Sequence, residues 1–195
     1  MKKFTFILII AMLTQAGTLL AQDTEQVTFE AILAEVLNLN VTGGSAQSVT
    51  FDTPDKYNLG VDDVGQTTIT VESTTDWNLA VSAADLIDGG GNSIPINNVG
   101  IWLQATGAHT IGGECSSTFT SLAASCGITV AAQTIIGNNG GNAGDATDNA
   151  FTINWTMGTM QGSMNAASIF DQLADGTIGS TGTYNTTVNF TVTAE

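Results

Sequence analysis

The chain has 195 residues, with 18 acidic side chains against three Lys or Arg, and its formal net charge at pH 7 is −15. Nucleic-acid grooves, phosphate clamps and patches that bind anionic membranes all need clustered Lys or Arg, so this composition argues against those partners. Many Thr and Val residues and only two Pro residues are typical of an all-β protein. The predicted fold is a single antiparallel β-sandwich, immunoglobulin-like or jelly-roll-like, with one short helix.

Residues 1–21 have the layout of a secretory signal peptide. Lys2 and Lys3 form a positive start, residues 4–13 are dominated by apolar side chains, and small residues precede Gln22. The apolar run falls short of the roughly 20 residues that span a bilayer. We therefore expect residues 22–195 to form one exported β-sandwich domain without a lipid anchor, secreted or at the cell surface, with the periplasm as an alternative.

The segment Val27–Val41 fits two patterns. Its odd positions are almost all apolar, which predicts a strand that ends at the turn Gly43-Gly44. A helical stripe is the alternative, formed by Phe29, Ile32, Leu33, Val36 and Leu37. If it is a strand, its N-terminal position allows pairing within its own sheet or donation to a neighbouring copy.

Period-two alternation predicts the other strands. It is clearest at residues 69–72, 77–83, 151–157 and 184–192, and weaker at 49–51, 101–105 and 127–136. The first two runs flank a short turn at residues 73–76, and we predict that they form a hairpin. The one helix is predicted at Asn165–Ala174, with Ser163 as its cap and Gly176 just past its end.

The two cysteines, Cys115 and Cys126, are predicted to form a disulfide. They lie in one stretch rich in Gly, Ser and Thr, and their separation suits a local bridge in an oxidising compartment. A metal site would need further Cys or His ligands nearby. Two free thiols are the alternative for a chain that meets no oxidant.

Residues 138–149 form the one candidate cation site. This loop is rich in Asn, Asp and Gly, and oxygen ligands on a flexible turn suit Ca²⁺, with Asn142, Asp145 and Asp148 as the candidate ligands. Asn-Gly turns also form without an ion, so a plain hairpin loop is the alternative. We expect no required cofactor.

The remaining chemical candidates favour binding over catalysis, and we expect no enzymatic activity. His109 is the single histidine and no nucleophile elbow accompanies it. The acidic pairs Asp62-Asp63 and Asp85 with Asp88 have the pattern of solvated turns.

Trp77 and Trp155 alternate in phase with apolar neighbours, which predicts core positions. Trp102 is out of phase with its neighbours, which makes it a candidate platform for a sugar ring.

Two short motifs resemble a known family. Trp77-Asn78-Leu79 is similar to the Trp-x-Leu motif of bacterial WxL cell-surface domains. Residues 184–192, Tyr-Asn-Thr-Thr-Val-Asn-Phe-Thr-Val, resemble that family's C-terminal signature, with Phe190 where Trp is expected and Val192 where Leu is expected. The resemblance implies a secreted β-rich domain that associates non-covalently with the cell surface. Secreted coat and pilus subunits share the same general pattern.

Together these observations predict an exported structural or adhesive protein of the cell surface. One form of this role is a filament or surface-layer subunit that assembles by strand pairing, with copies of itself or other surface proteins as partners. A module that binds wall glycan or another carbohydrate is the alternative.

Overall fold

The computed structural model describes residues 28–105, 119–137 and 141–195. Residues 28–33 carry no regular element and belong to a separate unit, whereas Ala34–Glu195 form the compact domain. The strands of the domain are β1 (Leu37–Gly43), β2 (Val61–Ser73), β3 (Trp77–Ala83), β4 (Leu86–Ile87), β5 (Ser93–Ile94), β6 (Val99–Ala105), β7 (Cys126–Gly127), β8 (Gln133–Ile136), β9 (Ala150–Met157) and β10 (Val188–Ala194). The helices are α1 (Pro54–Leu59) and α2 (Ile169–Ala174), with 3₁₀ turns at Ile96–Asn98 and Leu122–Ala124.

The strands form two main antiparallel sheets around a shared core, and Ile94, Met157, Ile169 and Ile178 form a second, smaller buried cluster. The first sheet has the order β1-β2-β9-β6-β7 and the second β10-β3-β8, while β4 and β5 pair separately. Trp77 of the second sheet packs edge-on against Phe151 of the first, with ring centroids 5.9 Å apart. The buried cluster draws from both sheets, as expected of a sandwich. The predicted antiparallel all-β class is confirmed, with two short helices instead of one.

The predicted hairpin between residues 69–72 and 77–83 is wrong. Both runs are strands, but β2 pairs with β1 and β9 whereas β3 pairs with β10 and β8. The connection crosses from one sheet to the other, and Ser73 Oγ stabilises it by donating to the Thr75 carbonyl at 2.6 Å. Alternating apolar residues on two successive strands predict a shared core. They do not distinguish side-by-side pairing from face-to-face packing.

The segment Val27–Val41 splits into two parts. Its second half belongs to β1, which pairs antiparallel with β2 in the register Leu37↔Ser73 to Gly43↔Thr68. Residues 28–36 are in neither a helix nor a strand, so both the full-length strand and the helical stripe are wrong there. Val27 lies outside the described residues. The strand ends as predicted at Gly43 and Gly44, where Gly44 has a φ of 64°.

Local capping explains the two helices. Helix α2 begins later than predicted because Ser168, not Ser163, is its cap, and the Ser168 hydroxyl accepts from the Asp171 N–H at 3.0 Å. The Ser163 hydroxyl instead accepts from the Gly127 N–H. Helix α1 was not predicted, although Thr53 followed by Pro54 is a recognisable signal for a helix N-terminus.

No helix among the described residues is long and apolar enough to span a membrane.

The weaker strand predictions have mixed outcomes. Residues 101–105 lie in β6, and residues 127–136 divide between β7 and β8, which belong to different sheets. Residues 49–51 form no strand. The C-terminal run forms a strand only from Val188 onward, because Tyr184 lies in the preceding loop.

Candidate functional site

A cavity of about 770 Å³ opens at one end of the sandwich, and we call it the end groove. Its floor comes from both sheets, with Val64 and Trp155 on the first and Phe190 on the second. Its walls are the loop at residues 44–51, which follows β1, and the loop at residues 180–187, which leads into β10. The groove therefore lies where the two edge strands β1 and β10 meet their loops.

Inward-facing side chains along the groove are only partly covered. Alternate residues from Tyr184 through Val188 to Val192 are half-buried, and so are Val49 and Phe51 in the facing loop. The inward residues of the central strand β3 are instead fully buried, as Leu79 shows. The sandwich core is thus closed at its centre and open along the β1 and β10 side.

The walls of the groove are held by hydrogen bonds to the core. Trp155 Nε1 donates to Thr67 Oγ1 at 2.8 Å, and Thr67 Oγ1 donates to the Gly44 carbonyl at 2.6 Å. The Gln47 amide donates to the Gln66 carbonyl at 2.8 Å. These bonds tie the first wall to β2, so the groove is built into the fold.

Charge is absent from the lining of the groove. In a chain with 18 acidic residues, no lining residue carries a formal charge; the lining is Val, Leu, Ile, aromatic, Gly, Ser, Thr, Asn and Gln together with Met157 and Ala46. Lys56, the single Lys or Arg among the described residues, pairs with Asp52 at 2.8 Å. The groove therefore suits a neutral occupant that offers apolar side chains and hydrogen-bonding groups together.

Residues 28–33, which we call the apolar segment, expose large side chains. Phe29, Ile32 and Leu33 are 88, 85 and 95% exposed. Three such residues within six positions make an unusual surface for a soluble protein, because each is normally buried. The segment precedes the edge strand β1 in the chain.

The two edge strands beside the groove differ in their protection against pairing, because the register of β1 with β2 has a bulge or irregularity between Val41 and Gly43 whereas the register of β10 with β3 is continuous. Strand β1 reads LNLNVTG and strand β10 reads VNFTVTA, so neither contains a charge or a proline. Each has one strand neighbour among the described residues. Proteins usually block such edges with Lys, Pro or bulges.

The candidate cation loop is described from residue 141 onward, and two of its three predicted ligands serve the fold. Asn142 is buried, and its amide accepts from the Trp77 N–H at 2.8 Å and donates to the Trp77 carbonyl at 2.7 Å. Asp145 Oδ1 accepts from the N–H groups of Asp148 and Thr147, which lowers the pKa of that carboxyl. No group of three His, Cys, Asp or Glu with metal-ligand geometry occurs among the described residues. Calcium binding stays a prediction.

Trp102 lies on the outer face of the first sheet and is half-buried. Its strand neighbour in register is Asn154, whose amide Oδ1 accepts from Gln66 Nε2 at 2.7 Å. The three residues thus form a row across β6, β9 and β2. Trp102 Nε1 is buried without a hydrogen-bond partner in the described structure. Trp77 and Trp155 are in the core, as predicted.

The other candidate residues have structural surroundings or lie outside the described ranges. Cys126 is buried and the described residues include no free cysteine, but Cys115 is outside them, so the disulfide stays a prediction. His109 is also outside the described residues.

The acidic candidates have structural surroundings. Asp85 accepts from the Ile96 N–H, and Asp88 accepts from the N–H groups of a tight turn. Asp62 and Asp63 are exposed on β2.

Sequence reasoning did not identify the groove. Its walls are loops rich in Ser, Thr and Gly, which have the composition of ordinary connections. A usable signal was the pair Val49 and Phe51, apolar residues isolated in a polar stretch.

No protein-family model matches the chain, and no curated protein matches it.

Proposed function

We propose that this protein is an exported structural subunit that self-associates at a cell surface by strand pairing. The observation that carries the proposal is the exposed apolar segment, which precedes an edge strand without charge or proline. Leaving Phe29, Ile32 and Leu33 in water is unfavourable for an isolated monomer, and a second copy that covers Phe29 and Leu33 removes most of this cost. The rigid two-sheet core suits a structural role.

The two motifs that resemble WxL domains support the same class of function. They are neighbours in the second sheet, where Val192 pairs with Leu79 and Ala194 with Trp77. A shared sheet explains why two motifs more than about 100 residues apart occur together, because each strand shapes the other's side-chain environment. Attachment to a cell surface remains part of the proposal.

Light scattering coupled to size-exclusion chromatography tests self-association. Protein beginning at Gln22 should form species larger than a monomer as its concentration rises, and electron microscopy should show the assemblies. Leu33→Asp should stay monomeric, because a carboxylate replaces an apolar contact. Leu59→Asp is the matched control, since Leu59 is also exposed, at 66%, but lies on α1. Wild-type protein that remains monomeric throughout contradicts the proposal.

Carbohydrate binding is a second candidate function, favoured by the row of Trp102, Asn154 and Gln66. The half-buried indole of Trp102 offers a face for a sugar ring, and the exposed Gln66 amide offers hydrogen bonds for its hydroxyls. Trp102→Ala should reduce binding to a neutral polysaccharide in affinity electrophoresis by about tenfold or more. Phe170→Ala, an exposed aromatic on α2, is the control. If wild type and both variants are slowed equally by the polysaccharide in the gel, the proposal of carbohydrate binding at Trp102 is wrong.

A further inference from the structure

We infer that the end groove of one copy receives the apolar segment of a second copy, so that the subunits join head to tail. The inference rests on the proposed function and specifies its docking site. It commits to residues 28–33 as the donor and to the groove between β1, β10 and their loops as the acceptor.

The chemistry of the donor matches that of the acceptor. The groove is lined by uncharged residues and is floored by the apolar side chains of Val64, Trp155 and Phe190. An occupant with a buried charge would lose hydration, and the lining has no opposite charge to compensate for that loss. The apolar segment meets this requirement, since its single acid, Glu30, alternates with Phe29 and Ala31 along an extended chain.

The edge of β10 that faces away from β3 pairs with no other described strand, and it can supply backbone partners. In an added strand, Phe29, Ala31 and Leu33 would face the groove while Glu30 and Ile32 face outward. Val188 and Phe190 are half-buried on the acceptor side and gain cover from these side chains. Main-chain hydrogen bonds with β10 would then fix the register.

Topology favours docking between copies in a head-to-tail manner. The domain begins at Ala34 beside the β2–β3 connection, where the Val36 N–H donates to Thr74 Oγ1 and the Thr75 hydroxyl donates to Glu35. The groove lies at the other end of β1, past Gly43. Seven residues of strand separate the two ends by about 23 Å. Donor and acceptor are different surfaces, so the contact is heterologous and repeats into an open filament.

Substitutions in the groove test the acceptor. Val49→Asp places a carboxylate in the neutral lining and should abolish assembly in light scattering. Val130→Asp is the matched control, because Val130 is 66% exposed and lies outside the groove. Ser48→Asp is a second groove variant at an exposed lining position, where folding tolerates a charge. Circular dichroism checks that each variant is folded.

Mixing two variants that cannot assemble by themselves gives the most specific test. Leu33→Asp retains an intact groove and Val49→Asp retains an intact segment, so an equimolar mixture should form heterodimers and nothing larger. If wild-type protein is monomeric, the proposed function itself is wrong. If wild type assembles and both groove variants assemble equally well, the proposed function stands and the acceptor site is wrong. Failure of the mixture to form heterodimers also overturns the inference.

Binding of a neutral dye tests whether the end groove takes a small neutral molecule instead of the apolar segment. Nile red should bind the monomeric Leu33→Asp variant more than the wild-type assembly, because docking fills the groove. Equal binding to both forms, together with normal assembly of Ser48→Asp, would indicate a groove that takes a small neutral molecule and would overturn segment docking.

Discussion

Asn142 and Asn149 are both buried, yet their side chains have different surroundings. The Asn142 amide bonds twice to the backbone of Trp77, whereas neither polar side-chain atom of Asn149 has a hydrogen-bond partner in the described structure. Removing a satisfied amide takes two buried hydrogen bonds from the backbone of Trp77, and the loss of a buried hydrogen bond costs about 1–3 kcal/mol. The same residue type therefore stabilises the fold to different extents at two positions of one loop.

We expect Asn142→Ala to lower the free energy of unfolding by about 2–4 kcal/mol. Asn149→Ala is the matched control, and its effect should be smaller by at least about 1 kcal/mol because no hydrogen bond is lost. Urea denaturation followed by tryptophan fluorescence measures both. Equal losses of unfolding free energy in the two variants would show that the hydrogen bonds between Asn142 and Trp77 contribute no additional stability.

Asp88 has a pKa lowered by its hydrogen bonds, chiefly with the Asn92 side chain and then with backbone N–H groups of the turn. A carboxyl with a lower pKa in the folded state stabilises the fold above its unfolded value of about 4 and loses that contribution as pH falls through the folded value. The thermal midpoint of wild type should therefore decline below about pH 4. In Asp88→Ala the decline should be shallower. Parallel curves would contradict this assignment.

Residue roles in the loops were the least predictable from sequence. The position of Asn142 in an Asn-rich loop indicated a metal ligand, but its partners come from Trp77, a residue far away in the chain. Trp77 and Trp155 were predictable as core residues because each alternates in phase with apolar neighbours. Long-range hydrogen bonds leave no such local signature.

At the scale of elements, Gly44 ends β1 for a steric reason. Its φ is 64°, and a Cβ there would lie 1.8 Å from the Gln66 carbonyl oxygen. A Cβ at the neighbouring Gly43 would meet nothing within 4 Å. Only one of the two glycines is therefore required by the turn.

Gly44→Ala should destabilise the protein by about 1–3 kcal/mol because it introduces both backbone strain and a clash. Gly43→Ala should leave stability unchanged or raise it by up to about 1 kcal/mol, since the unfolded chain loses freedom. Urea denaturation of the two variants measures the difference. A milder effect at Gly44 than at Gly43 would contradict the turn geometry.

Strand existence was largely predictable, and strand pairing was not. The runs at residues 77–83 and 151–157 were recognisable because one face is buried and the other is polar. Alternation carries no information on which strands are neighbours, so β2 and β3 were placed in one hairpin although they lie in different sheets. The end groove depends on that arrangement and was therefore beyond sequence reasoning.

For the whole molecule, the formal charge of −15 opposes self-association. Salt screens this repulsion, and lowering the pH toward the sequence pI of about 4.1 removes it. Assembly measured by light scattering should therefore increase between about 20 and 300 mM NaCl at pH 7. Leu33→Asp should show no such increase. Assembly that weakens with added salt would indicate that ion pairs, and not apolar contacts, join the subunits.

The pairing of β10 with β3 sets the order in which this protein can become native. Strand β10 lies about 110 residues after its partner, so ribosomes must finish nearly the entire domain before the second sheet is complete. Such distant contacts make folding slow, and a nascent chain stays unstructured for longer. Such delayed folding is compatible with the export that we propose, since an unfolded chain can pass through a translocation pore.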